Sequence, residues 1–337
     1  MYTRRAIRWS IILRFGWRYI VFFLLYSTAI VVAFTFLDWK FLQVPFLPIS
    51  AIGIAVAFYL GFKNNSSYDR LWEARRVWGS LVNASRSWGI GVMHFIGKEG
   101  GSYTKPDSNT SNIHREVIYR HIAFLNALRV QLRRPAPWEQ GYKTAHDIVA
   151  ADDAVNAGKI DAAICPFLEA AEAEQMAGSR NAATQILHKQ SARLQELQAE
   201  GLVDEFHRIE LVRLLNEFYN QQGAAERIKG FPFPRQYAYF SFVFSWMFIF
   251  LLPLGLIPEF VEFGESYAWL VIPFHVLISF VFNTMEIVGA TSENPFENGI
   301  NDVPITAICR TIEIDLREML GEKELPAKPE PVHDILM

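Results

Sequence analysis

Cysteine is nearly missing from this 337-residue chain, which holds only Cys165 and Cys309. They stand far apart and outside any CxxC spacing, which argues against a disulfide framework or a zinc site. The histidines do little better: His114 and His121 lie two helical turns apart and reach no metal together without other ligands. An excess of positive charge is lacking as well. The formal net charge is −3, the wrong sign for a protein that grips nucleic acid by its phosphates. No repeat of fixed period occurs, and no apolar–polar alternation runs long enough to argue for strands. A cleavable signal peptide is not expected, because the first apolar run is long and no small-residue cleavage site closes it.

What the chain has instead is apolar length. Hydrophobic residues make up 51%, aromatics 14% and charged residues 20%, which fits a membrane sector joined to a sizeable soluble one. Residues 19–37 carry no charge and are long enough to span a bilayer. Asp38, Trp39 and Lys40 then mark a polar turn with an interfacial aromatic, and residues 41–62 form a second span with Pro45 and Pro48 in its first half. The third span covers 237–257. A short loop with Glu259, Glu262 and Glu265 leads to the fourth, 267–289, which contains His275, Asn283 and Glu286.

Between the second and third spans the pattern is soluble and helical. Residues 97–112 read as a loop and 113–134 as a helix stopped by Pro135 and Pro137. A short helix is expected over 145–157, with Thr144 to cap it, and another restarts at Cys165-Pro166 and is punctuated by Gly178. Helices over 181–198 and 203–229 follow, and Phe231-Pro232-Phe233-Pro234 returns the chain to the membrane. The expected division is 1–62, 63–230, 231–289 and 290–337. Arginines 4, 5, 8, 14 and 18, with Lys63, Arg70, Arg75, Arg76, Arg227, Lys229 and Arg235, put both termini and the helical sector on the cytoplasmic side. The outer loops offer only Lys40.

The second span repays a closer look. On a helix Ile54, Phe58 and Phe62 fall at i, i+4 and i+8 and form one stripe. Gly53, Ala55, Ala57 and Gly61 sit around it and permit close helix approach. The stripe is either ordinary membrane packing or, repeated in several subunits, the ring of a pore.

Two stretches carry a family resemblance. SENPFENGINDVPITAICRTIEIDLREML resembles the segment after the last span of bestrophins, with Asn294-Pro295-Phe296 matching their hallmark tripeptide. AIGIAVAFYLGFKNNSSYDRLWEARRVWG resembles the pore helix of the bacterial branch. The resemblance implies an all-α homopentamer around a central pore, each subunit giving four transmembrane helices and a large cytoplasmic helical sector. Its partners would be copies of itself, the lipid bilayer and permeating ions, with no nucleic acid and no cofactor. It places a hydrophobic neck on Ile54, Phe58 and Phe62 and a second, cytoplasmic aperture on Phe206. Eukaryotic members follow the tripeptide with a run of acids that helps clasp calcium. Here that run is Glu297, Asn298, Gly299, Ile300, Asn301 and Asp302, which leaves a calcium clasp doubtful. Asp302 serves more simply as a helix N-cap before Pro304.

A ring of apolar side chains cannot coordinate an ion, but a narrow, dry passage sets a barrier. Charge sign is then chosen elsewhere. The outer-loop glutamates favour cations if they face the mouth, and Lys63 opposes them if it faces the pore. By resemblance the eukaryotic branch passes anions, whereas the bacterial one admits monovalent cations. A secondary transporter is disfavoured by the small number of spans and the lack of an inverted repeat. An enzyme with His275 and Glu286 as acid and base is disfavoured because three turns of helix separate them. Asn283 and Glu286 are expected to be buried against protein.

Overall fold

The computed structural model describes residues 1–6, 9–97, 108–134, 160–332 and 334–337. Among these, all regular elements are helical, and extended pairing is limited to the isolated bridges Tyr2–Ile335 and Val332–Ile335. The helices are α1 (Trp9–Phe36), α2 (Phe46–Phe95), α3 (Ser108–Arg133), α4 (Ile160–Ile164), α5 (Ala170–Ala177) and α6 (Ala182–Ala199). They are followed by α7 (Glu205–Gly230), α8 (Arg235–Val261), α9 (Val271–Thr291) and α10 (Ile305–Met319). Among the described residues, four stretches are long and apolar enough to cross a membrane: Gly16–Phe36, Lys40–Phe95, Arg235–Val261 and Glu265–Thr291.

The contacts divide the chain into two compact units. One comprises Arg4–Arg70 and Pro232–Glu293. In it α1 packs on α9, and α9 on α8. Val31, Ile49, Val56, Leu60, Phe248 and Leu252 form the core. Gly53 sets the approach of α2 to α8, since a Cβ there would lie 2.6 Å from Cε2 of the Phe248 ring.

Helix α8 runs farther than its sequence suggests. Pro258 was expected to open the outer loop, yet the helix continues through it to Val261. A helical proline orphans the carbonyl four residues earlier. For Pro258 that is Leu254, whose oxygen accepts instead from Val44 N–H at 3.2 Å. The substitute bond removes the reason to stop.

The other unit comprises Met1–Thr3, Leu71–Phe231 and Asn294–Met337. Helix α3 packs on α4, α6 and α10, and α6 packs on α7. The core holds Trp78, Trp88, Ile118, Ile122, Phe124 and Phe218. Buried Arg120 makes paired bonds of 2.7 and 2.9 Å to the Glu172 carboxylate, the fork geometry that makes an interior guanidinium tolerable. Its charge holds the Glu172 carboxyl below its ordinary value against the opposing effect of burial. Wholly buried His121 bonds Ser85 Oγ through Nε2 at 2.9 Å, and Ser85 donates onward to the Leu81 carbonyl.

Several sequence boundaries need correction. Helix α3 starts at Ser108, so 108–112 are helical and not loop. The first-turn N–H groups of a helix lack internal partners, so Ser, Asn and Thr, whose side chains can accept from them, are favoured there. The expected restart at Cys165-Pro166 is instead a turn: α4 ends at Ile164, Phe167 N–H bonds the Ile164 carbonyl, and α5 begins at Ala170. Proline steers the residue before it away from helical geometry. The expected helix over 145–157 lies outside the described residues.

Candidate functional site

Helix α2 has two unlike faces over its membrane half. Ile49, Gly53, Val56, Leu60, Lys63 and Ser67 recur at three- and four-residue steps and are buried. Ile54, Phe58 and Phe62 lie on another face and are 59%, 66% and 64% exposed. The stripe read from the sequence is therefore not spent on packing within its own subunit. Exposing three large apolar groups in register leaves them for lipid, for another chain, or for a pore.

Lys63 follows Phe62 by one residue, a rotation of about 100° that carries it round the helix. Its side chain is 1% exposed, so the condition under which it would oppose cations, facing the pore, is not met. Nζ reaches Glu286 Oε1 at 2.7 Å and Glu293 Oε1 at 3.5 Å. An ammonium taken from water must be paired, and two carboxylates attract it to the subunit interior. Seven residues beyond Lys63, Arg70 Nε donates to the Glu293 carbonyl at 3.0 Å. Helix α2 thus holds the end of α9 at two points. Between them Asn64 lies so close to Gly289 that a Cβ on that glycine would meet Oδ1 at 2.1 Å. Asn283 is buried one turn before Glu286 on the same face.

His275 is wholly buried, and its Nε2 lies 3.1 Å from the Ile249 carbonyl. Ile249 is four residues before Pro253, so this is the carbonyl which that proline deprives of its helical donor. A carbonyl only accepts, so Nε2 carries the proton. The imidazole repairs a helix here.

In the other unit, α7 begins at Glu205, and the Asp204 side chain caps it by accepting His207 N–H at 3.0 Å. The bond from the His207 backbone, with the His207 ring beside it, holds the Asp204 carboxyl below its ordinary value. The His207 ring bonds Asp204 and stacks on Phe95, with centroids 4.4 Å apart. Phe206, between them in the first turn, is 84% exposed.

Phe296 of the tripeptide is buried in the helical core, and the Pro295 carbonyl accepts Val303 N–H at 3.1 Å. Asp302 does not cap α10. Its Oδ2 accepts Gly299 N–H at 2.9 Å, and the cap position falls to Pro304 with no side-chain bond. The loop turns back on itself through Asn298 at φ 65, placing Gly299 where a Cβ would lie 2.7 Å from Asp302 Oδ1. Burial raises the Asp302 carboxyl to about 6. Glu297 pairs with Lys229. With both acids committed to protein partners, this loop does not fit a calcium site built from free carboxylates.

Sequence reasoning missed Glu293. A signal was present: Lys63 and Arg70 stand seven residues apart, and so do Glu286 and Glu293. Matching intervals of opposite charge at the ends of two spans point to two helices gripping each other.

A family model described as "Bacterial/Fungal Bestrophin protein" matches residues 3–318. Among curated proteins, the chain is 30% identical over 333 residues to the voltage-dependent anion channel-forming protein YneE of Escherichia coli K12, covering 97% of this chain and 94% of that protein. It is 28% identical over 284 residues to the voltage-dependent anion channel-forming protein mll4386 of Mesorhizobium japonicum, covering 83% and 78%. The crystal structure of a bacterial bestrophin homologue from Klebsiella pneumoniae superposes with a TM-score of 0.75 at 23% identity, covering 90% of this chain and 98% of that one.

Proposed function

The chain belongs to the bacterial and fungal bestrophin family, and from that premise we propose that it forms a homopentameric ion channel gated at Ile54, Phe58 and Phe62. One observation carries this reading: these side chains share one face of α2 and are exposed, while the opposite face is buried in the subunit core. A subunit with four spans encloses no passage of its own, so the exposed stripe needs copies of itself to make one. In a closed ring the stripes converge, and water leaves a narrow apolar neck because it finds no hydrogen-bonding partners there. Phe206 forms a second, cytoplasmic constriction. The unit holding it lies in the cytoplasm with both termini, in keeping with the arginines and lysines flanking the spans.

The relatives' names favour anions as the permeating species. A second reading, monovalent cations, is favoured by Glu259, Glu262 and Glu265, which are exposed at the outer end of α8 and in the turn after it. Reversal potentials of the purified protein in a salt gradient decide between the two.

The neck is tested by replacing Ile54, Phe58 and Phe62 with alanine. The three side chains support no core, so the variant folds. Open probability or conductance rises substantially, and ion preference barely changes. Wild-type gating and conductance in the triple variant would show that the stripe faces neighbouring helices or lipid.

A further inference from the structure

We propose that Lys63, Glu286 and Glu293 form a proton-responsive brace behind the neck, in which Glu293 is the positioning residue that sets how firmly the end of the neck helix is held. The proposal rests on reading Ile54, Phe58 and Phe62 as the neck. Its basis is an imbalance of charge in a dry place. One ammonium stands 2.7 Å from one carboxylate and 3.5 Å from another, and all three side chains are largely buried. Glu286 Oε2 and Glu293 Oε1 accept no hydrogen bond. A single buried cation does not neutralise two ionised carboxylates, and Glu293, the more distant of the two from Lys63, is the one whose ionised form is disfavoured.

The groups facing Glu293 come from three helices. From α2 come Lys63 and Arg70, the latter bonded to the backbone carbonyl. From α9 comes Glu286, and from the start of α8 the exposed Arg235. Burial is the largest influence and raises the Glu293 carboxyl above its ordinary 4.5; Glu286 adds to the rise, whereas Lys63 and Arg235 oppose it. Above 4.5 the braced structure therefore binds more protons than a relaxed, hydrated one. The brace is whole at low pH and weakens as pH rises through the raised value. Lys63 is the residue after Phe62, so a looser Lys63 frees the last turn of the neck. Opening follows the loss of the proton.

Single-channel recording of the purified full-length protein in planar bilayers tests this, with pH stepped from about 5 to about 8 on each side in turn. Wild-type open probability rises with pH on the side that bears Glu293, by at most about tenfold per pH unit because one proton is involved. Glu293→Gln stays near the low-pH level throughout, with unchanged conductance and reversal potential. A Glu293→Gln channel that keeps the wild-type response, or a wild type with none, overturns the proposal. Thermal melting over the same series reads the brace without any current. The melting temperature of the wild type falls relative to Glu293→Gln as pH rises, and parallel melting profiles count against the brace. The expected melting difference in a protein that passes no current at any pH would overturn the neck reading and not the brace.

Discussion

At the scale of single residues, the chain spends its buried polar groups on repairs and pairings. His275 answers a proline, Lys63 answers two glutamates, and Arg120 answers Glu172. His121 differs, because among the described residues no charged partner compensates its burial. Being wholly buried pushes its imidazole down from 6.5 to about 3, so the native ring is neutral at any pH near physiological. The unfolded chain gains a proton below 6.5 that the folded one refuses, so stability falls as pH drops from 6.5 towards 3. The slope from one group is about 1.4 kcal/mol per pH unit at most. We expect His121→Leu to melt lower than the wild type near neutrality, through lost packing against Trp88 and Phe218. Its melting temperature should then fall less steeply on acidification. A slope equal to that of the wild type would mean that His121 protonates without unfolding.

At the scale of elements, the closeness of α2 to α8 depends on Gly53. A methyl group there would stand 2.6 Å from Cε2 of Phe248, whose own ring lies 4.6 Å from that of Phe282 and has little room to turn. Overpacking of this kind costs about 1–3 kcal/mol. Gly53→Val should therefore lower the melting temperature by several degrees. Pairing it with Phe248→Leu should recover most of the loss, a coupling that a double-mutant cycle measures. Additive losses would show that α2 shifts and the ring does not. The spans themselves were legible because an uncharged run of that length has few other uses. Their ends were not. Whether a helix stops at Pro258 depends on whether Val44 reaches Leu254, and whether Ser108 starts one depends on what α3 packs against. The stripe was legible for the same reason as the spans, since its spacing is local. The Lys63–Glu286–Glu293 cluster joins residues more than two hundred positions apart; the matching seven-residue intervals point to the two helices, but they do not say which carboxylate meets which cation.

At the scale of the whole molecule, the proposed pore asks that copies of the chain close into a ring, so that each stripe meets its equivalents about a symmetry axis. Mass measurement in detergent should return a pentamer; a stable monomer or dimer as the only species would remove the pore. In such a ring the two constrictions do different work. The proposed neck, from Ile54 to Phe62, is about two turns deep and apolar, so it would act through water. Phe206 stands at a helix start and would give a single ring of side chains, so it would act through width. Its turn is held by neighbours, with Asp204 capping the helix and His207 stacked on Phe95. The Phe206 side chain is 84% exposed and supports little of the fold, so truncation reads on permeation and not on stability. Phe206→Ala should raise the permeability of large ions relative to small ones in bi-ionic recordings, while leaving melting temperature and open probability close to wild type. The triple-alanine neck should do the reverse, changing open probability or conductance with little change in relative permeability. If Phe206→Ala leaves the permeability ratio untouched, the phenylalanine points away from the ion's path and size selection belongs to the neck.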